Sequence, residues 1–288
     1  MTDLRWKSFS RAKHRLHPGF TRNNQDKKVR IIHMSMQAVF CGVGEAFDEN
    51  LPNTSILVQV KEGRNSRSIL LDCGFTAASA FWGCSDDPLD LDAIWISHLH
   101  GDHFLGLPQL LLRFSEHARI KPLQISGVCG ASSAVKQAME LAYPGKWDRL
   151  GFEIEFTEAS SRDTFQLAGM QARAVPMEHP VPSLGIKLHA ENRSLFYTGD
   201  GRLEKSFWPV LDGCDLAICE AFALEGDMPG HSSVSRVLSM AGLAGVRQTA
   251  LVHMQRDERA THKDSLQKYF DQAQVTGFMP EPGDRVEL

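Results

Sequence analysis

The stretch Ser97-His98-Leu99-His100-Gly101-Asp102-His103 sets three imidazoles and a carboxylate within six residues. A packing role does not call for that, because closely spaced neutral histidines and an aspartate are costly to bury unless each finds a partner. Imidazole nitrogen and carboxylate oxygen suit Zn²⁺, Mn²⁺ or Fe²⁺, and catalytic sites of this kind leave a position open for water or substrate. Five more residues of ligand type, His179, Asp200, Glu220, His231 and His253, stand at or beside the ends of apolar runs. Taken together they read as a two-metal hydrolase centre.

These residues need rigid elements behind them. The run at 91–96 reads as a buried strand and 104–113 as a helix, with Pro108 tolerated in its first turn. A strand that ends in a loop of ligands and feeds a helix is where α/β proteins place chemistry. Further strands are expected at 36–41, 55–60, 68–72, 123–126, 152–156, 172–175, 184–188, 194–198, 216–219 and 249–252, with a hairpin loop at 62–66. Helical patterns fall at 131–143, 232–243 and 263–274. Strands come first in hairpins and later alternate with helices, which predicts two packed sheets with helices outside.

The 288 residues, 42% of them hydrophobic, can bury a substantial core as one large domain or two intimate halves. No apolar run approaches the roughly 18 residues of a membrane span, and the amino terminus lacks the apolar core of a secretory signal. A cytoplasmic protein with no membrane partner is expected. Cys41, Cys73, Cys84, Cys129, Cys214 and Cys219 form no CxxC pair, so they are expected to be reduced and mostly in the core. Residues 1–30 carry Arg5, Lys7, Arg11, Lys13, Arg15, Arg22, Lys27, Lys28 and Arg30 against Asp3 and Asp26. This basic extension reads as a solvated tail, with contact to RNA as the competing reading. His14, His17, His33, His117, His189 and His262 lie in no motif and are expected to play no part in the site.

The set HLHGDH, a lone histidine, Tyr197-Thr198-Gly199-Asp200 and a histidine after a closing strand resembles the metallo-β-lactamase superfamily. Within it the chain is most similar to the ribonuclease Z branch, through Gly42-Val43-Gly44, Leu71-Asp72-Cys73-Gly74, Glu220-Ala221 and His231-Ser232-Ser233. The resemblance covers roughly residues 36–253 and implies an α+β fold, the αβ/βα four-layer sandwich, over residues 31–288. It assigns His98, His100 and His179 to one metal, Asp102, His103 and His253 to a second, and Asp200 as the bridge. It further implies that His231, steadied by Glu220, sits beside the leaving oxygen, that Asp102 has a second task in orienting the nucleophile, and that Asp72 lies under the metal loop.

The expected activity is a ribonuclease Z-like phosphodiesterase in which a hydroxide shared by two cations, about 3.5–4 Å apart, attacks a phosphodiester. Two divalent ions are expected as cofactors, Zn²⁺ first, with Mn²⁺ or Fe²⁺ tolerated. The expected substrate is a small phosphodiester or RNA, and a homodimer is left open. Two departures from the branch support the metal centre over an RNA substrate, and the first of them suits a small or cyclic phosphodiester. Only residues 180–199 separate His179 from Asp200, too few for the protruding arm of one major group of transfer-RNA-processing enzymes. The closing motif is His253-Met254-Gln255-Arg256 where the family tends to have HisPheSer. Competing readings are hydrolysis of a carboxylic or sulfuric ester, a lactone or a thioester, a redox diiron centre, disfavoured by His100 where that class has a glutamate, and a non-catalytic binding protein.

Overall fold

Strands buried on both faces must be apolar at every position, whereas one-faced strands alternate; the central strands here are of the first kind. In the computed structural model, which describes residues 34–288 apart from Arg64 and Asp227, the first half forms β1 (Met34–Gly42), β2 (Ser55–Glu62), β3 (Asn65–Leu71), α1 (Ala77–Cys84), β4 (Ala93–Ile96), α2 (Gly101–Phe104), α3 (Leu107–Glu116), β5 (Leu123–Gly127), α4 (Ala131–Ala142) and β6 (Ile154–Glu158). The second half forms β7 (Thr164–Leu167), β8 (Met170–Met177), β9 (Ser183–Ala190), β10 (Arg193–Tyr197), β11 (Leu216–Glu220), α5 (Val234–Leu243), β12 (Gln248–Val252), α6 (Arg256–His262), α7 (Leu266–Ala273), β13 (Gly277–Phe278) and β14 (Arg285–Glu287).

The strands assemble into two seven-stranded sheets, ordered β14-β1-β2-β3-β4-β5-β6 and β13-β12-β11-β10-β9-β8-β7. Side chains alternate strictly between layers. Ile69 and Leu71 of β3, Ala93 and Trp95 of β4, Leu216 and Ile218 of β11 and Ala250 and Val252 of β12 fill the core between the sheets. Their neighbours Leu70, Ile94 and Ile96 face outward onto Phe81 of α1, Leu111 and Phe114 of α3 and Val135 of α4. On the other side Ala217, Cys219 and Leu251 meet Val237 and Leu238 of α5 and Phe270 of α7. The result is the αβ/βα four-layer sandwich.

Strands β3 to β6 run parallel, as do β10 to β13. Ligands in such sheets gather at the carboxyl ends of the strands, and there Asp72, His98, Asp200, Glu220 and His253 are found, each the last residue of a parallel strand or within three of its end. None of the described helices is long and apolar enough to cross a membrane. The basic segment 1–30, with His14 and His17, and His33 lie outside the described residues.

Some expectations from the sequence change. The helix expected at 104–113 is two pieces, α2 and α3, broken at Leu105-Gly106 because Gly106 closes on the loop after β3: its N–H bonds the Cys73 carbonyl at 2.9 Å. The short α1, α6, β7, β13 and β14 carry too little periodicity to be read in advance. Cys41 and Cys84 form a disulfide, Cα–Cα 5.9 Å, where reduced thiols were expected. The partners are 43 residues apart in sequence and meet only because α1 folds back across β1. Cys73, Cys214 and Cys219 are buried free thiols, and Cys129 is exposed.

Candidate metal centre

The carboxyl ends of both sheets converge on two groups of donor atoms. His98, His100, His179 and Asp200 form one, and Asp102, His103, Asp200 and His253 the other; in each, the donor atoms lie within 4.8 Å of one another. Asp200 belongs to both. All seven residues that the sequence singled out for metal therefore come together, and the shared carboxylate is the one the resemblance made the bridge.

Local structure explains the placement. After β4 the chain turns at Ser97 and His98, and His100 then precedes α2, which carries Asp102 and His103 in a single turn. That turn packs against the loop after β3, where Gly74 is required: a Cβ there would lie 1.8 Å from the Asp102 carbonyl oxygen. Asp200 follows Gly199, which has φ +61° and passes so close to Ser97 that a Cβ would stand 2.4 Å from the Ser97 Cβ. His179 stands two residues beyond β8 and His253 is the first residue beyond β12.

Hydrogen bonds fix which nitrogen each ring presents. The His103 Nδ1–H donates to Asp72 Oδ2 at 2.7 Å and the His179 Nδ1–H to the Gly230 carbonyl at 2.8 Å, so both Nε2 lone pairs face inward. His98 Nδ1 is 3.0 Å from Ser97 Oγ, whose own proton goes to Asp72 at 2.7 Å. The buried His98 Nε2 and Asp200 Oδ1 find no hydrogen-bond partner among the described residues.

The separations themselves fit a cation. His179 Nε2 faces His100 Nδ1 at 3.2 Å and His103 Nε2 faces His253 Nε2 at 3.3 Å, with Asp102 Oδ2 at 3.2 Å from both of the latter. Donors bound tetrahedrally to zinc at about 2.0–2.1 Å stand about 3.3 Å apart, so the chemistry and spacing of the set accommodate divalent ions.

Charge at the site follows the same logic. Burial and the neighbouring imidazoles His103, His179 and His100 hold His98 well below the usual imidazole range, although Asp200 pulls the other way. Burial likewise lowers His179. For Asp200, burial favours the neutral acid, but His103 and His253 outweigh it and keep the carboxyl well below its ordinary value. Burial lowers His253 too, but Asp200 and a hydrogen bond to Asp102 bring it to about 9.

Glu220 and His231 stand beside this cluster as a pair. Glu220 ends β11 fully buried, accepts the Gly201 N–H at 2.7 Å through Oε2, and holds His231 Nδ1 at 2.5 Å through Oε1. Burial pushes the Glu220 carboxyl up. Burial pushes His231 down, but Glu220 more than compensates and its net shift is upward. Phe222 lies against the His231 ring, centroids 4.7 Å apart.

His100, Asp102, Asp200, His231 and His253 open into a cavity of about 540 Å³ whose other walls include Phe47, Phe75, Phe222 and Arg256. Phe47 and Phe75 are 77% and 52% exposed, so the mouth has aromatic lips. The loop bearing Phe47 is tied down by the buried Glu45, which accepts from the Phe47 N–H at 2.8 Å and from Arg256 at 2.7 Å. The sequence marks no role for these lip residues, since isolated aromatics carry no spacing signal, and none for Ser97 and Tyr197, although both stand inside the motifs quoted above. The segment between His179 and Asp200 is the β9–β10 hairpin, two strands and a tight turn. His117 instead packs against Trp82 with the rings tilted, and His189 lies in β9 and belongs to neither donor group.

Ribonuclease BN of Escherichia coli O1:K1 / APEC is 31% identical to this chain over 159 residues, 55% of the chain and 51% of that protein, so the chain spans about half the length of the curated relatives it matches. The metallo-β-lactamase fold protein YhfI from Bacillus subtilis superposes with a TM-score of 0.72 at 22% identity, covering 88% of this chain and 100% of that one. The short form of human tRNase Z, ELAC1, superposes with a TM-score of 0.69 at 21% identity, covering 87% and 98%. These likenesses show the metallo-β-lactamase fold. A family model described as anti-Pycsar protein Apyc1 matches residues 36–276, and with the fold and the donor groups in place the chain belongs to that family.

Proposed function

We propose that the protein is a metal-dependent phosphodiesterase holding two divalent ions, zinc first among them, and that its substrate is a small or cyclic phosphodiester rather than a folded RNA. The observation that carries this reading is the pair of donor groups sharing Asp200. Bound there, the ions would activate water at neutral pH and offset the charge of the phosphodiester.

The chain's own residues supply the rest. Glu220 holds His231 by Nδ1, which leaves Nε2 free to protonate the departing oxygen at the rim of the cavity. Asp102 both joins a donor group and lines the cavity, where it can accept a hydrogen bond from the attacking water and aim it. Phe47, Phe75 and Phe222 supply apolar walls that restrict bulk water around the bond to be broken. The short β9–β10 hairpin and a cavity of about 540 Å³ favour a small substrate.

The test is a hydrolysis panel on metal-reconstituted protein: an aryl phosphodiester, a cyclic phosphodiester, a 3′-extended transfer RNA, a lactone and a thioester. The highest kcat/KM is expected for a small phosphodiester. The same activated water attacks carbonyls, so a carboxylic or sulfuric ester, lactone or thioester is the second reading, and a preference for one of these would displace the first.

A further inference from the structure

Asp72 is fully buried at the end of β3, and its carboxylate collects four donors. Oδ1 accepts the Ser97 backbone N–H at 2.7 Å. Oδ2 accepts Ser97 Oγ–H, His103 Nδ1–H and Tyr197 O–H, each at 2.7 Å. Since the Ser97 hydroxyl gives its proton to Asp72, it meets His98 with a lone pair, and His98 Nδ1, 3.0 Å away, must carry the hydrogen. The inward Nε2 of His98 is thereby left bare for a cation.

Two consequences follow. His103 belongs to one donor group and His98 to the other, so one carboxylate sets the ring orientation and tautomer in both, directly for His103 and through Ser97 for His98. Tyr197 brings the second sheet into the same set: it is the last residue of β10, three before the shared donor Asp200, and its side chain is fully buried. We propose that Ser97 and Tyr197 are positioning residues that make Asp72 a node common to both metal positions, so that the two ions are bound as a coupled pair rather than independently. This rests on the two-metal reading above.

Partners of this kind behind a ligating histidine are typically worth about 10–100-fold in metal affinity, and residues in one hydrogen-bond network do not add. The experiment is titration of metal-free wild-type, Ser97→Ala and Tyr197→Phe protein, and of the double variant, with Co²⁺, following ligand-field absorption and competition with a chelator. Thermal unfolding of the metal-free proteins reports any loss of fold, and Tyr197→Phe, which deletes one oxygen and keeps the ring, is the variant expected to fold most nearly as wild type.

Ser97→Ala, although His98 is the one metal-donor residue its hydroxyl hydrogen-bonds, should weaken binding of both equivalents by about 10–100-fold and shift both sets of absorption bands. Tyr197→Phe should do the same, and the double variant should lose less than the product of the single losses. A purely structural serine or tyrosine would lower the unfolding temperature without moving the bands. Wild-type affinities and spectra in both single variants, or loss confined to one equivalent, overturn the coupling. If wild-type protein takes up no Co²⁺, the two-metal reading fails and this proposal falls with it, an outcome distinguishable from the first two.

Discussion

Asp72 and His253 share a backbone feature on the two sheets: each is the first residue past a strand that is paired on both sides, β3 and β12, and each has a left-handed backbone, φ 60° and 56°. The Asp72 N–H bonds the Trp95 carbonyl at 2.8 Å and the His253 N–H bonds the Val43 carbonyl at 2.9 Å. Left-handed conformations cost a non-glycine residue about 1–3 kcal/mol, and here His253 belongs to a donor group while the buried Asp72 holds the donor His103. Asp72→Ala should therefore destabilise metal-free protein by about 3 kcal/mol or more, since it keeps the strain and leaves buried donors unpaired. Asp72→Asn, which tolerates this backbone better and still accepts hydrogen bonds, should cost less. Denaturant unfolding in chelator checks the order, and equal losses would refute it.

Purified protein should hold close to two metal ions per chain by elemental analysis. Asp200→Ala should lose both, because its carboxylate belongs to both donor groups, whereas His98→Ala and His253→Ala each remove a donor from one. Each of the three should also lose activity. Protein that contains no metal and takes none up on reconstitution would end the metal reading.

His231→Ala should retain its metals, since His231 is in neither donor group, while turnover falls by roughly 10²–10⁴-fold, the usual worth of general acid catalysis. The loss should shrink for a nitrophenolate leaving group, which needs no proton. Equal losses for good and poor leaving groups would limit His231 to shaping the cavity.

The pH profile should carry the mark of Glu220. Burial lowers the His231 pKa but the Glu220 carboxylate raises it further, to a net value above that of an ordinary histidine. The protonated donor then persists above the usual imidazole pKa of about 6.5, and the activity that needs it is lost as pH rises through the raised value. Glu220→Gln removes the raising charge, so the alkaline limb of kcat for a poor leaving group should move to lower pH. An unmoved limb would show that another group sets it.

Deleting residues 1–28 should leave hydrolysis of small diesters unchanged and have little effect on transfer RNA binding or its salt dependence. A fall in the salt slope of about one log-log unit per lost phosphate contact, together with weaker transfer RNA binding, would instead give the basic segment a role in gripping RNA.

The donor set was legible in the sequence because metal ligation demands particular residue types, and His98, His100, Asp102 and His103 carry them within one loop. The layering was legible too, since strands buried on both faces must read as apolar runs. What the sequence could not contain is contact across the fold. That Asp200 is equidistant in role between two donor groups, that Ser97 and Tyr197 meet on Asp72 from different sheets, and that Phe47 and Phe75 form the lips of the cavity depend on which loops the strand order brings side by side. The Cys41–Cys84 pairing has the same origin, a packing of α1 on β1 that leaves no spacing signal. Residue chemistry is local and survives in one dimension, whereas hydrogen bonds between residues 125 apart, such as Tyr197 to Asp72, exist only once two sheets have closed on each other.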